Sequence, residues 1–353
     1  MTPLPVVVAG AGLMGRAWLA CVEASPDAEL TGVADLDLAA ARDAAAALDR
    51  PDLAVGDDVV ALARRTGARS LIDVTVPAAH HPVTTAALFA GLAVLGEKPV
   101  AQTVAEALSL AAASDVTGQL FMVSQSRRWN PQLHRLREMT GRLGAVGTVT
   151  TEFFRASHLP GFRERMAYPL LVDMAIHHFD AVRFLLGAEP VEVTCRTQNP
   201  PWSWYAGDAD ATAVFAMTGG ARYVYTGSWC SPGAQTSWNG AWRVSGEHGA
   251  ALWDGDTEPR LDASVPAPDG PASPYSGLAG ALSVFTEALR TGVPPMGEVH
   301  ENLMSLAMVE AAVESARAGA TVRLDDVLHR AWETAVRDET RDDVREVLLG
   351  RQR

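Results

Sequence analysis

The chain has 353 residues and a formal charge of −13, from 29 Lys+Arg against 42 Asp+Glu. That length suits about two domains, and a composition 48% hydrophobic and 20% charged excludes a mainly disordered or low-complexity chain. The acidic balance argues against nucleic acid and anionic membrane as partners, and no apolar run reaches the ~18 residues that a membrane-spanning helix needs.

The first ~125 residues alternate short β-branched runs with alanine-rich stretches, the rhythm of a parallel sheet with crossover helices. Strands are expected at Leu4–Ala9, Glu29–Ala34, Ser70–Val76, Ala93–Leu95 and Leu120–Val123. Helices are expected at Leu13–Ala24, Leu38–Leu48, His81–Ala90 and Val104–Ser114. The N-terminal MTPLPVVVAGAG has no basic stretch before its apolar run, so it reads as a first strand and not a signal. Cys21, Cys195 and Cys230 stand far apart with no C-x-x-C spacing, which argues against a disulfide framework or structural zinc. A reducing, cytoplasmic location is expected.

The rhythm changes around Ser124–Pro131. Strands then follow without intervening helices at Val146–Arg155, Val191–Thr197, Thr212–Met217, Arg222–Trp229 and Ala250–Trp253, the pattern of a mostly antiparallel open sheet. One helix, Leu170–Leu186, interrupts them, Asp254–Gly277 reads as an exposed loop, and helices Ala279–Thr291 and Val299–Ala318 close the chain. The expectation is an α/β Rossmann domain over 1–124 and an α+β domain over 125–353.

Gly10-Ala11-Gly12-Leu13-Met14-Gly15 forms a G-x-G-x-x-G at a strand-to-helix turn, where backbone amides can meet a pyrophosphate. Asp35, twenty residues past Gly15, ends the second strand, where a carboxylate accepts hydrogen bonds from an adenosine ribose. It repels a 2′-phosphate, and no Arg or Lys lies within Ala34–Ala41, so NAD is expected over NADP. Glu97-Lys98-Pro99 follows a parallel strand, placing Lys98 at the carboxyl end of the sheet, where ligands bind. That lysine reads either as a proton donor or as a surface residue before a helix. Asp173, His177 and Asp180, at i, i+4 and i+7, line one face of the Leu170–Leu186 helix, with His178 rotated away. The pair reads as a carboxylate orienting an imidazole, or as an ordinary packed histidine. His80, His81, His177 and His178 show no compact metal-ligand spacing, and no metal is expected.

Taken together these segments resemble the Gfo/Idh/MocA oxidoreductases, the group containing glucose–fructose oxidoreductase and inositol dehydrogenase. The likeness runs through the glycine loop, Val76-Pro77-Ala78-Ala79-His80, the stretch Ala90-Gly91-Leu92-Ala93-Val94-Leu95-Gly96-Glu97-Lys98-Pro99, and Asp173–Asp180 as DMAIHHFD. Ala78 and Ala175 depart from the residues common at those positions. The resemblance implies cofactor contacts from Val76, Pro77, His80, Glu97 and Lys98, and catalysis by Lys98, Asp173 and His177. His177 is then the general base, Lys98 polarises the carbinol oxygen, and Asp173 orients substrate or base. It further implies a neutral cyclic polyol, sugar or sugar derivative as substrate. Arg128 and Asn130 match its linking RR-x-N segment, read either as cofactor or substrate contacts or as a brace of the domain junction, and Asp180 is a further hydroxyl acceptor. The alternatives are an NADPH-dependent carbonyl or imine reductase on the same scaffold and a non-catalytic sensor. Of the tryptophans Trp202, Trp204, Trp229, Trp238, Trp242 and Trp253, most are expected in the core or an interface and Trp202 or Trp238 near substrate. A homo-oligomer, a dimer or tetramer, is expected by the resemblance, and an aromatic sheet face, if exposed, would also imply one.

Overall fold

Val6, Val7 and Val8 are consecutive and have no exposed surface, as a strand covered on both faces requires. A computed structural model of the chain describes residues 2–158, 161–266, 268 and 276–350. Its first unit comprises 1–126, 275–303 and 330–353, and its second 127–274 and 304–329.

The first unit is a six-stranded parallel sheet of β1 (Leu4–Ala9), β2 (Ala28–Ala34), β3 (Ala54–Gly56), β4 (Ser70–Asp73), β5 (Ala93–Glu97) and β6 (Phe121–Ser124). Helices α1 (Leu13–Glu23), α2 (Leu38–Ala46), α3 (Val59–Thr66), α4 (Pro77–Phe89) and α5 (Val104–Thr117) connect the strands. The order β3-β2-β1-β4-β5-β6 reverses direction between β1 and β4, which opens a crevice at the strands' carboxyl ends.

Helix α6 (Pro131–Thr140) leads into the second unit's sheet. Its strands are β7 (Val146–Phe154), β8 (Pro190–Gln198), β9 (Asp210–Met217), β10 (Arg222–Ser228), β11 (Ala241–Gly246), β12 (Gly249–Trp253) and β13 (Arg260–Ala263), with α7 (Ile176–Leu186) between β7 and β8. After α8 (Gly277–Thr291) and α9 (Val299–Ala318), β14 (Val322–Arg323) joins the edge, and α10 (Leu324–Asp338) and α11 (Asp342–Gly350) follow. The eight strands run β13-β12-β11-β7-β10-β9-β8-β14, antiparallel except for β7 with β10. The loop expected over Asp254–Gly277 thus contains a strand, β13, while its residues 267 and 269–275 lie outside the described residues.

Alternation along these strands sends one row inward. Phe153, Tyr223, Tyr225, Phe215 and Trp242 are buried, and Phe179 of α7 meets Phe215 edge-on at 4.9 Å. The other row is polar, with Glu152, Thr194, Arg196, Thr212, Arg222 and Arg243 open to solvent. Trp229, Trp242 and Trp253 are buried, in line with the core placement expected for most of these tryptophans.

Two boundaries differ from the sequence reading. Helices α8 and α11 and most of α10 belong to the first unit, because α8 packs on α1 and β6, and α11 buries Val344 and Leu348 as it packs on α5. The helix expected over Leu170–Leu186 begins as a wide π-type turn, Leu170–Ala175, and becomes α-helical only at Ile176. Such a turn carries an extra residue, which shifts the helical phase of what precedes it.

A charged cluster lies inside the second unit. Arg128 donates to Asp180 through Nε at 2.7 Å and Nη2 at 2.9 Å, with 2% of each side chain exposed. Ser305 of α9 donates to the same carboxylate at 2.7 Å and accepts from Arg183, which also grips Glu189 through two nitrogens. Asp180→Ala or Arg128→Ala should each lower unfolding stability by about 3–5 kcal/mol, since either takes a bidentate partner from a buried charge. Replacing both by apolar residues of similar volume should cost much less. Urea unfolding of the three variants checks this.

Candidate functional site

In the first unit, the β1–α1 turn is held by steric necessity. Gly10 has φ +101°, and a Cβ on it would sit 2.4 Å from the Val74 carbonyl oxygen; a Cβ on Gly15 would sit 1.9 Å from that of Gly10. Those two glycines let strand and helix close on one another. Gly12 differs: a Cβ there meets nothing within 4 Å, and no side chain caps the α1 N-terminus it begins. The open space and the uncapped amides fit a diphosphate approaching the helix end. Leu13, Met14, Leu36 and Val76 are exposed around these strand ends, as apolar surface that a flat ring system covers. The Asp35 carboxylate accepts from the amides of Ala11 at 2.7 Å and Asp37 at 2.9 Å, tying the end of β2 to the glycine loop.

The ends of β4 and β5 are braced by buried polar groups. Asp73 has no exposed surface and accepts from the Thr75 amide and hydroxyl and from the Thr84 hydroxyl, at 3.1, 2.6 and 3.0 Å. Burial raises its carboxyl above the ordinary range despite those bonds. Glu97 accepts from Trp18 Nε1 at 2.9 Å and from the Lys98 amide at 3.2 Å, and burial pushes its pKa up as well. His80 is buried between two carbonyls, that of Pro99 2.7 Å from Nδ1 and that of Thr75 3.0 Å from Nε2. It therefore ties the segment after Lys98 to the β4–α4 turn instead of facing a ligand. Lys98 is partly exposed at the end of β5, and its peptide bond to Pro99 is cis.

In the second unit, the π-type turn carries Asp173, and α7 begins with His177 and His178. Asp173 accepts from Arg163 Nε at 2.7 Å. His177 is partly exposed, whereas His178 has no exposed surface and lies among Phe153, Tyr225 and Trp242 at ring separations of 5.0, 5.5 and 6.1 Å. Arg127 Nη1 lies 3.0 Å from His178 Nε2. Burial, and then the Arg127 charge, holds His178 well below its ordinary 6.5.

Two family descriptions match the chain, one over each unit's main segment. "Oxidoreductase family, NAD-binding Rossmann fold" covers residues 4–125, and "GFO/IDH/MocA C-terminal domain" covers 133–252. The chain belongs to the Gfo/Idh/MocA oxidoreductase family. It is 32% identical to the uncharacterized protein y4oX of Sinorhizobium fredii, over 71% of this chain and 75% of that protein. It is 28% identical to an inositol 2-dehydrogenase of Rhizobium meliloti, over 87% of this chain and 94% of that one. Its fold is similar to that of an Agrobacterium radiobacter oxidoreductase solved with NAD+, L-tartaric acid and magnesium, with a TM-score of 0.80 at 20% identity over 92% of this chain and 99% of that chain.

Several residues expected at the site of this Gfo/Idh/MocA protein sit elsewhere. Arg128 and Asp180, expected on substrate, are buried against each other, because the π-type turn removes Asp180 from the face of Asp173. Asn130 accepts from the Gln132 amide at 2.9 Å and caps α6. Trp202 and Trp238, in contrast, are exposed as a ligand-lining role requires, with Trp202 Nε1 donating to the Cys230 carbonyl at 3.0 Å. Asp73, Trp18 and Arg163 were not picked out from the sequence. Asp73 ends an apolar strand, a visible anomaly, but nothing in the spacing signals Arg163.

The glycine geometry separates binding from folding. Gly12→Ala should leave unfolding stability within about 0.5 kcal/mol, the range of substitutions that disturb no packing, yet weaken NADH binding at least tenfold. Gly15→Ala should instead destabilise the fold; calorimetry and thermal unfolding read both. His178, whose folded pKa lies below its unfolded one, stabilises the protein above pH 6.5 and loses that contribution as pH falls. Unfolding free energy should therefore drop below pH 6.5 more steeply than in His178→Gln, by up to about 1.4 kcal/mol per pH unit.

Proposed function

We propose that the protein oxidises a secondary alcohol of a cyclic polyol, sugar or sugar derivative, with NAD as hydride acceptor. What carries the reading is a partly exposed imidazole, His177, one turn from a carboxylate that is itself held by an arginine. An imidazole so placed takes the hydroxyl proton as the carbinol C–H is lost. Lys98 supplies positive charge to the carbinol oxygen as it becomes a carbonyl oxygen. Asp173, fixed by Arg163, orients the substrate hydroxyls or the imidazole. Bound NAD+ supplies the site that receives the hydride. Asp35, with the exposed Asp37 two residues on, favours a free ribose over a 2′-phosphate.

Purified protein tested against a panel of polyols and sugars, with NADH or NADPH formation followed by absorbance, decides the matter. NAD+ should be preferred to NADP+ by at least tenfold in kcat/KM. Lys98→Ala and His177→Ala should each lower kcat by about 10²-fold or more with NADH affinity little changed. Near-normal turnover in either variant removes that residue from the mechanism. No reduction of either nicotinamide across the panel would replace a dehydrogenase by a non-catalytic sensor.

A further inference from the structure

Most buried or half-buried guanidinium groups described for the second unit face carboxylates: Arg128 has Asp180, Arg183 has Glu189, and Arg163 has Asp173. Arg127 does not. Its partner is His178, and it makes no ion pair among the described residues. His178 is held neutral by burial, so it accepts a hydrogen bond but offsets no charge. Burial lowers the Arg127 guanidinium to about 9, more than Tyr225 and the Asp173 carboxylate, itself held by Arg163, raise it.

A second such group lies along the same aromatic wall. The His178 ring is 5.0 Å from Phe153, Phe153 is 6.2 Å from Trp238, and the Arg155 guanidinium sits over Trp238 at 4.4 Å. Arg155 Nη1 donates to the Thr236 carbonyl at 2.9 Å, while its buried Nε donates to nothing among the described residues. Neither arginine forms an ion pair with a carboxylate among the described residues, although the whole chain carries a charge of −13. Unmatched cations in a low-dielectric setting are costly unless a ligand brings the anion. Arg127 has one nitrogen on His178, which leaves a free edge of its fork. That edge suits a planar, two-oxygen anion bound bidentately.

We propose that the substrate carries a carboxylate, as an aldonate or uronate does, received by Arg127 with support from Arg155. The inference rests on the dehydrogenase reading above and narrows its substrate class from neutral polyol to sugar acid.

The test uses matched probes: D-glucose with D-glucuronate, D-galactose with D-galacturonate, D-gluconate, and glucose 6-phosphate. NADH formation and calorimetric binding to the protein–NADH complex are both measured. At least one acid should exceed its neutral partner by about tenfold or more in kcat/KM, a preference that added salt weakens. Arg127→Gln should bring that preference close to one, and Arg127→Lys should keep part of it. Should Arg127→Gln misfold by circular dichroism, Arg155→Gln provides the second variant and should reduce the preference at least threefold. Equal use of neutral and acid probes, a preference that survives Arg127→Gln, or a preference for the phosphate would each overturn the inference and leave the dehydrogenase reading intact. If no probe is oxidised, Arg127-dependent binding of an acid upholds the inference while the dehydrogenase reading falls. Absence of that binding overturns it.

Discussion

Arg128 and Asp180 meet through two short hydrogen bonds in surroundings that leave 2% of either side chain in contact with solvent. Taking both charges out of water costs several kcal/mol per ion, recovered only if their geometry is kept and their remaining lone pairs are used. Ser305 and Arg183 use them, and Glu189 completes the chain. Helix α7 is therefore anchored at its centre by Asp180 and Arg183 and along its ring face by Phe179. Its N-terminal approach is tied separately, through Asp173 to Arg163. With both ends constrained, the extra residue between them is taken up by a wide turn, which is where Asp173 sits and where His177 follows. The chemically useful end of the helix is thus shaped by a salt bridge that takes no part in chemistry.

The same requirement sorts the arginines of the second unit by role. Those with carboxylates hold elements together, and their removal acts on folding. Those without, Arg127 and Arg155, use their charge on neutral groups: Arg127 on His178, and Arg155 on the Thr236 carbonyl and the Trp238 ring. Arg127 even lowers the pKa of the histidine it touches. A side chain that costs stability and joins no ion pair among the described residues is where a ligand's contribution is to be sought.

What the sequence made legible was set by backbone sterics and short-range spacing. The glycine loop could be read because Gly10 and Gly15 are required by contacts only a few residues away. The strand ending at Glu97-Lys98-Pro99 could be read because parallel strands are continuous apolar runs. Asp180 was misplaced because a seven-residue spacing puts two side chains on one face only in an uninterrupted α-helix, and the π-type turn breaks that count. His80 was misjudged for another reason: whether an imidazole faces a ligand or two carbonyls depends on Pro99 and Thr75, which it meets only in the folded chain. Helices α8 and α11 display an apolar stripe in sequence, but a stripe specifies that a surface will be covered, not which one covers it.

The two units divide recognition between different kinds of group. In the first, polar side chains are spent internally: Asp73 on Thr75 and Thr84, Glu97 on Trp18, His80 on two carbonyls, and Asp35 on two amides. What remains for a dinucleotide is backbone at an uncapped helix end, apolar surface at Leu13, Leu36 and Val76, and the lone pairs of Asp35 that its two amides do not use. Backbone recognition depends on glycine geometry and tolerates change in most side chains around it, so cofactor binding can be kept while the sequence drifts. In the second unit, the proposed reading rests on side chains instead: His177, Asp173 and the arginines that join no ion pair among the described residues. A single substitution there changes charge or shape directly. A chain built this way can hold one cofactor and one reaction constant while its substrate changes, and the place to read its substrate is therefore the charge balance of the second unit.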